Sequence, residues 1–172
     1  MKAIIALATL ALTIQSAAAA TSATPPSDDS TVTGFWQQAD DDGHVNAWFY
    51  FSRVHGLYEG RIVKMFAQPD KPSFDTCARC PGNQKDAPML GLTIVKGMKR
   101  DGLHYQDGTI MDPRDGMSFG AELDLSPDGQ KLSVRGYLGL PMLGQTQVWT
   151  RLPDETMAPA DIPPDSVSPS SD

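Results

Sequence analysis

Cysteine is nearly absent: the 172 residues hold two, Cys77 and Cys80. One pair excludes a disulfide framework as the basis of the fold, so a hydrophobic core has to hold the chain together. Basic residues are also scarce, 14 Lys and Arg against 21 Asp and Glu, with no cluster longer than Lys99-Arg100. That excludes the electrostatic footprint of a nucleic-acid binder. His44, His55 and His104 are the only histidines and each stands alone in sequence, so zinc would need ligands gathered from distant positions. No metal and no cofactor is expected. The longest apolar run, Ala3 to Ile14, is twelve residues, well short of the roughly 20 that span a bilayer. No window carries an amphipathic helix longer than about two turns.

What is present begins with Met1-Lys2, that apolar run, and Gln15-Ser16-Ala17-Ala18-Ala19-Ala20. A basic start, a short apolar stretch and small residues before a cut form a secretory signal. Residues 1–20 are read as a signal peptide cleaved near Ala20, leaving a periplasmic or secreted monomer that does not span the membrane. Residues 21–31, with Pro25, Pro26, Asp28 and Asp29, read as a flexible linker. Residues 153–172, with five prolines, five acids and no base, read as a disordered tail, poor in the apolar surface that ordering requires. The acidity sits in these ends: from Val32 to Leu152 there are 14 acids and 13 bases.

Between the ends the pattern is period two. In Met117-Ser118-Phe119-Gly120-Ala121-Glu122-Leu123-Asp124-Leu125 every odd position is apolar, the mark of a strand with one buried face. Ser126-Pro127-Asp128-Gly129 turns the chain, and Leu132, Val134, Gly136 and Leu138 continue the inward set. Val45 to Phe51 alternates after the turn Asp40-Asp41-Asp42-Gly43. With Thr33–Gln37, Gly56–Phe66, Leu90–Met98, His104–Met111 and Gln145–Arg151, eight strands are expected, with one long loop from Ala67 to Met89. Eight consecutive strands on short turns predict an all-β, eight-stranded antiparallel up-and-down barrel over residues 32–152, because closure removes exposed edges. A sandwich is the alternative.

Closure makes the first and last strands neighbours. Gly34 and Trp36 stand on one and Trp149-Thr150-Arg151 on the other, so Arg151 is expected across the face of Trp36 as a cation–π contact. A Gly-x-Trp opening with an arginine on the closing strand resembles the lipocalin-like (calycin) barrels. The wider set of motifs runs in order: Gly34-Phe35-Trp36, Tyr58-Glu59-Gly60-Arg61-Ile62-Val63-Lys64, Cys77-Ala78-Arg79-Cys80-Pro81-Gly82, Pro88-Met89-Leu90-Gly91, Gly108 to Pro113, Val134-Arg135-Gly136-Tyr137 and Gly144 to Arg151. Together they resemble the bacterial domain-of-unknown-function family 2147 over about residues 33–152. The resemblance implies a lipocalin-like barrel and no activity.

Each chemical motif has a plainer reading. Cys77 and Cys80 suit a structural disulfide; a thiol–disulfide exchange centre and a metal site are the alternatives, and Pro81-Gly82 argues against the helix start that activates a thiol. Gly116-Met117-Ser118-Phe119-Gly120 matches a nucleophile elbow in letters, but it lies inside a strand and no helix follows. No catalytic residue is assigned. Asp40-Asp41-Asp42-Gly43 lacks the spaced ligands of a calcium loop. Arg61, Arg135, Tyr137 and Trp149 are the candidate contacts for a small hydrophobic or amphipathic ligand if their faces turn inward; the plainer reading puts the arginines outside. Trp48 and Tyr50 form an outer aromatic pair that a protein partner would use. Sequence therefore points to an exported, non-catalytic binding protein, with a redox protein on the cysteine pair or an interaction module as the alternatives.

Overall fold

The computed structural model describes residues 30–68 and 74–167. The expected signal peptide, residues 21–29 of the expected linker and residues 168–172 lie outside the described residues. Eight strands follow one another: β1 (Gly34–Ala39), β2 (Val45–Val54), β3 (Leu57–Met65), β4 (Thr93–Asp101), β5 (His104–Asp112), β6 (Met117–Leu125), β7 (Lys131–Tyr137) and β8 (Gln145–Arg151). Each pairs with the next, and β8 returns to β1 to close an antiparallel barrel. Trp36 pairs with Arg151 and Gln37 with Thr150 across the seam. No described helix is long and apolar enough to cross a membrane.

Alternation places the core. On β2, Ala47, Phe49 and Phe51 are buried, and on β6 so are Ala121, Leu123 and Leu125, each offset from its neighbours by two. The β2–β3 turn takes positive φ at both His55 (49°) and Gly56 (87°), the mirror-image two-residue turn whose twist suits a hairpin. Gly60 faces Phe51, and a Cβ there would stand 2.7 Å from the Phe51 ring. That bare position lets the ring cross the barrel. The interior is filled this way. Trp149 stacks on Phe49 at 4.2 Å and 16°, while Tyr58 and Tyr105 meet edge to face at 5.0 Å.

The turns β2–β3, β4–β5 and β6–β7 mark one end, the base, and the other four connections mark the mouth. The lead-in residues Ser30–Thr33 close the base. The Val32 N–H donates to the Tyr105 hydroxyl (3.1 Å), Trp36 Nε1 donates to the Val32 carbonyl (2.7 Å) and Arg100 Nη2 to the Ser30 carbonyl (3.0 Å). Ser30 and Thr31 are therefore anchored, where composition suggested a flexible linker.

The expected disordered tail needs a larger correction. Residues 153–167 form a strap of two 3-10 turns, Asp154–Thr156 and Pro159–Asp161, on the outer wall. It leaves β8 where the Leu152 N–H donates to the Phe35 carbonyl (2.9 Å), and it ends on β4. There Thr93 Oγ1 donates to Asp165 (3.0 Å) and the Ser166 N–H donates to the Gly91 carbonyl (3.1 Å). The physical reason is the wall beneath. Phe35 points outward on β1 yet is buried, its ring 4.9 Å from that of Tyr50, and Met157, Ile162 and Val167 are half-buried along the strap. Its prolines lower the entropy lost on ordering, so a few apolar side chains and two polar pegs suffice. Leu138 is a second correction: β7 ends at Tyr137, and Leu138 is exposed rather than part of the inward set.

Candidate functional site

Register separates the residues proposed as one ligand-contact set. Trp149 pairs with Leu132 and shares its inward face, buried against Phe49. Arg135 pairs with Thr146 and so points outward; its Nε donates to the Pro141 carbonyl (2.6 Å) and Nη1 to Thr146 Oγ1 (2.8 Å). Tyr137 lies flat on the outer wall, where a Cβ on Gly120 would meet its ring at 2.5 Å. Arg61 is on the outer wall of β3, 5.3 Å from the Tyr50 ring centre, with a buried Nε that has no hydrogen-bond partner. Beside it a hollow of about 210 Å3 is lined by Ser52, Val54, Glu59, Arg61, Thr93 and Asp165, so the strap roofs it. The four residues thus belong to three places. Their grouping fails because the inward set of β7 is Leu132 and Val134, one position out of phase with Arg135 and Tyr137. The outer aromatics are likewise engaged: Trp48 meets Phe66 at 5.3 Å and Lys64 Nζ at 4.4 Å.

At the seam, the Arg151 guanidinium stands 4.3 Å from the Trp36 ring centre. Its Nη1 donates to the Thr33 carbonyl (2.9 Å), and Nε and Nη2 donate to the carbonyls of Gly129 and Thr31. Burial lowers the Arg151 pKa, opposed by the attraction of Asp154, and burial raises that of the Tyr105 phenol. These groups are committed to closing the base.

The mouth carries the remaining chemistry. Cys77 and Cys80 are bonded to each other, with Cα atoms 5.4 Å apart, and both are buried. Cys77 Sγ lies 3.3 Å from the Pro113 carbonyl, and Cys80 Sγ lies 3.5 Å from Met111 Sδ. The Asp86 N–H donates back to the Cys77 carbonyl (2.9 Å), and Gln84 Nε2 to that of Thr93 (3.1 Å). The bond fixes the local shape of the long loop, and the contacts to Pro113, Met111 and Thr93 seat the loop on the mouth ends of β4 and β5. Neighbouring Arg114 hydrogen-bonds Asp112 and holds that carboxyl below the usual range. A thiol reagent meets no exposed sulfur here, so this disulfide should resist dithiothreitol in the folded protein, with a reduction potential below about −300 mV. In Cys77→Ser/Cys80→Ser, hydrogen exchange should rise most within 74–92, while the slowest barrel amides should accelerate only as far as a global cost of about 2 kcal/mol allows. A potential near about −200 mV would instead mark an exchange centre.

Between β3 and this loop lies a feature that periodicity did not reveal. The β3–β4 ladder ends at Arg61 and Thr93, Ile62 adds backbone bonds to Leu92 and Gly91, and beyond it a bulge opposite Trp48 and Phe49 displaces Val63. The resulting cleft, about 480 Å3, is lined by Val63, Lys64, Met65, Phe74, Asp75, Pro88, Met89 and Leu90. It is apolar apart from Lys64 and Asp75. Lys64 Nζ lies over the Trp48 and Phe66 rings, at 4.4 and 5.1 Å from their centres. The only sequence signal for it was the apolar pair Met89-Leu90 inside a proline-rich loop.

Two motifs resolve into structure. Ser118 lies within β6, paired with Met111, and makes no strand-to-helix turn. Asp40, Asp42 and His44 converge within 4.8 Å, and Asp40 Oδ1 accepts the backbone N–H groups of Asp42 (3.2 Å) and His44 (2.9 Å). The turn itself accounts for that cluster.

Residues 34–151 match the sequence profile of a family described as "Uncharacterized protein conserved in bacteria (DUF2147)". No curated protein matches the chain. Among solved structures, the fold is similar to Protein HP1028 from the human pathogen Helicobacter pylori, described as belonging to the lipocalin family. The TM-score is 0.61 at 16% identity, over 73% of this chain and 85% of that one.

Proposed function

The chain belongs to this uncharacterized bacterial family, DUF2147, and from that premise we propose an exported, non-catalytic binding protein of the cell envelope that takes a small amphipathic ligand at the barrel mouth. The observation that carries this reading is the position of the free volume. An eight-stranded barrel either fills its interior or holds one small ligand there, and here Trp36, Phe49, Phe51, Tyr105 and Trp149 occupy the interior. The larger hollow is instead the cleft between β3 and the loop that holds the disulfide, of a size typical for small-molecule sites. Val63, Met65, Phe74 and Pro88 suit an acyl or aromatic body. Lys64 offers a cation to an anionic head group at the rim.

The test uses the protein exported to the periplasm and examined by native mass spectrometry before and after delipidation, then titrated with dodecanoate and dodecanol. Wild type should carry an adduct that delipidation removes, and both probes should raise Tm. Met65→Trp, which fills the cleft, should abolish the shift. Lys64→Gln should weaken dodecanoate by roughly 2–5-fold and leave dodecanol unchanged. An adduct-free protein with no shift for either probe overturns the reading.

A further inference from the structure

The β7–β8 connection is Leu138-Gly139-Leu140-Pro141-Met142-Leu143-Gly144. A hairpin loop in water is ordinarily polar, and this one holds four large apolar side chains. Leu138 and Leu140 are 60% exposed, Met142 77% and Leu143 74%. They are held out by a defined shape. Pro141–Leu143 forms a 3-10 turn, the Leu143 N–H donates to the Leu140 carbonyl (3.1 Å), and the Gly144 N–H to that of Pro141 (3.0 Å). Arg135 braces the turn from the wall through the same Pro141 carbonyl. Exposed Val148 continues the apolar surface down the outer side of the hairpin, and exposed Met117, at the mouth end of neighbouring β6, widens it. From Leu138 to Thr150 there is no charged residue.

We propose that this knuckle is a membrane-docking tip, inserting Leu140, Met142 and Leu143 into a lipid surface of zwitterionic headgroups. Two features of the molecule select that occupant. The knuckle is convex, and side chains three-quarters free of their own protein are solvated most completely by a fluid apolar medium that closes around them. Its charge surroundings fix the headgroup: the knuckle carries no Lys or Arg, Arg135 is turned back onto the loop and Thr146, and the adjoining β1–β2 turn presents Asp40, Asp41 and Asp42. That turn reaches the same rim, where Gln38 Nε2 donates to Gln147 Oε1 (3.2 Å). An anionic surface is repelled by such a flank, and a second copy would bring the same acidic turn and the same net negative charge. The knuckle and the ligand cleft lie on opposite sides of the mouth, so either assignment can fail alone.

The experiment takes the mature chain, its Met142→Asp/Leu143→Asp variant and a Met142→Trp variant. Each is sedimented with phosphatidylcholine vesicles, and again with vesicles containing phosphatidylglycerol. Both substituted positions are exposed, so Tm should stay within about 2 °C of wild type. Wild type should partition onto phosphatidylcholine at least about tenfold more strongly than the double variant. The emission that Met142→Trp adds to the wild-type spectrum should shift to the blue on the same vesicles, and phosphatidylglycerol should weaken binding in low salt. Wild type remaining in the supernatant like the double variant, or an unshifted Met142→Trp spectrum, overturns the proposal. So does stronger binding to the anionic vesicles. A double variant that changes only the oligomeric mass in sedimentation velocity, with no vesicle effect, transfers the surface to protein association and equally overturns it.

Discussion

Trp149→Ala should lower stability by about 3–5 kcal/mol, the cost of emptying a large aromatic site in a core that relaxes only partly. Trp149 is the central plate of the barrel. It stacks on Phe49 at 4.2 Å, meets Phe51 edge-on at 6.3 Å, and donates from Nε1 to Gln147 Oε1 at 3.2 Å. Against the ordinary ~5–15 kcal/mol of a single domain, that loss is large enough to be read in any denaturant titration. The vacated space is walled by Phe49 and Phe51 with Gln147 Oε1 at its edge, which suits a small aromatic guest that carries a ring N–H. Indole should therefore restore part of the lost Tm in Trp149→Ala and do nothing for wild type. Trp149→Phe keeps a ring against Phe49 and should lose less than half as much, which covers the case where the alanine variant does not fold. A Trp149→Ala protein as stable as wild type, or a wild type whose interior already takes indole, would mean the barrel is not packed through this residue.

The strands were legible because their signal is local. Met117 to Leu125 alternates without a break, and the structure runs β6 over that same span; Gly34-Phe35-Trp36 and Trp149-Thr150-Arg151 sit where closure requires them. What failed was nonlocal. The strap from Pro153 to Val167 looks like solvent-exposed chain when judged by composition, because the Thr93 hydroxyl that holds Asp165 lies 72 residues earlier, with the Gly91 carbonyl beside it. Arg135 and Arg61 lie outside, as the plainer reading has it, while Trp149 faces inward; alternation alone gives each strand two faces, and only the register, Leu132 against Trp149, says which faces agree. The cleft beside Val63 depends on a bulge and on where β3 stops pairing with β4, and neither leaves a residue-type signature. Leu138 was different. Leu138 continues the alternation of Leu132, Val134 and Gly136, yet β7 ends at Tyr137 and the leucine is exposed.

Arg151→Met should cost about 3 kcal/mol and lower Tm by about 10 °C, although it removes no apolar volume. The methionine keeps a stem over Trp36, so the loss isolates the guanidinium. That group donates to three carbonyls from separate parts of the chain, Thr31, Thr33 and Gly129, and stands 4.3 Å from the Trp36 ring centre. Charge-assisted bonds of this sort exceed neutral ones, and carbonyls left unpaired at a partly buried base lose more than the bonds alone. Two of the three belong to the lead-in, so the damage should be local before it is global: Ser30–Thr33 should detach, exposing Val32 and freeing the Tyr105 hydroxyl and Trp36 Nε1 from their partners there. Limited proteolysis should then cut near Thr31 in Arg151→Met and spare wild type. Arg151→Lys keeps the cation over Trp36, but a point-like ammonium cannot reach three carbonyls at once, so it should recover only a minor part of the Tm. Equal protease resistance in all three proteins, with Tm unchanged, would show that the base is closed by strand pairing alone and that the arginine is a bystander.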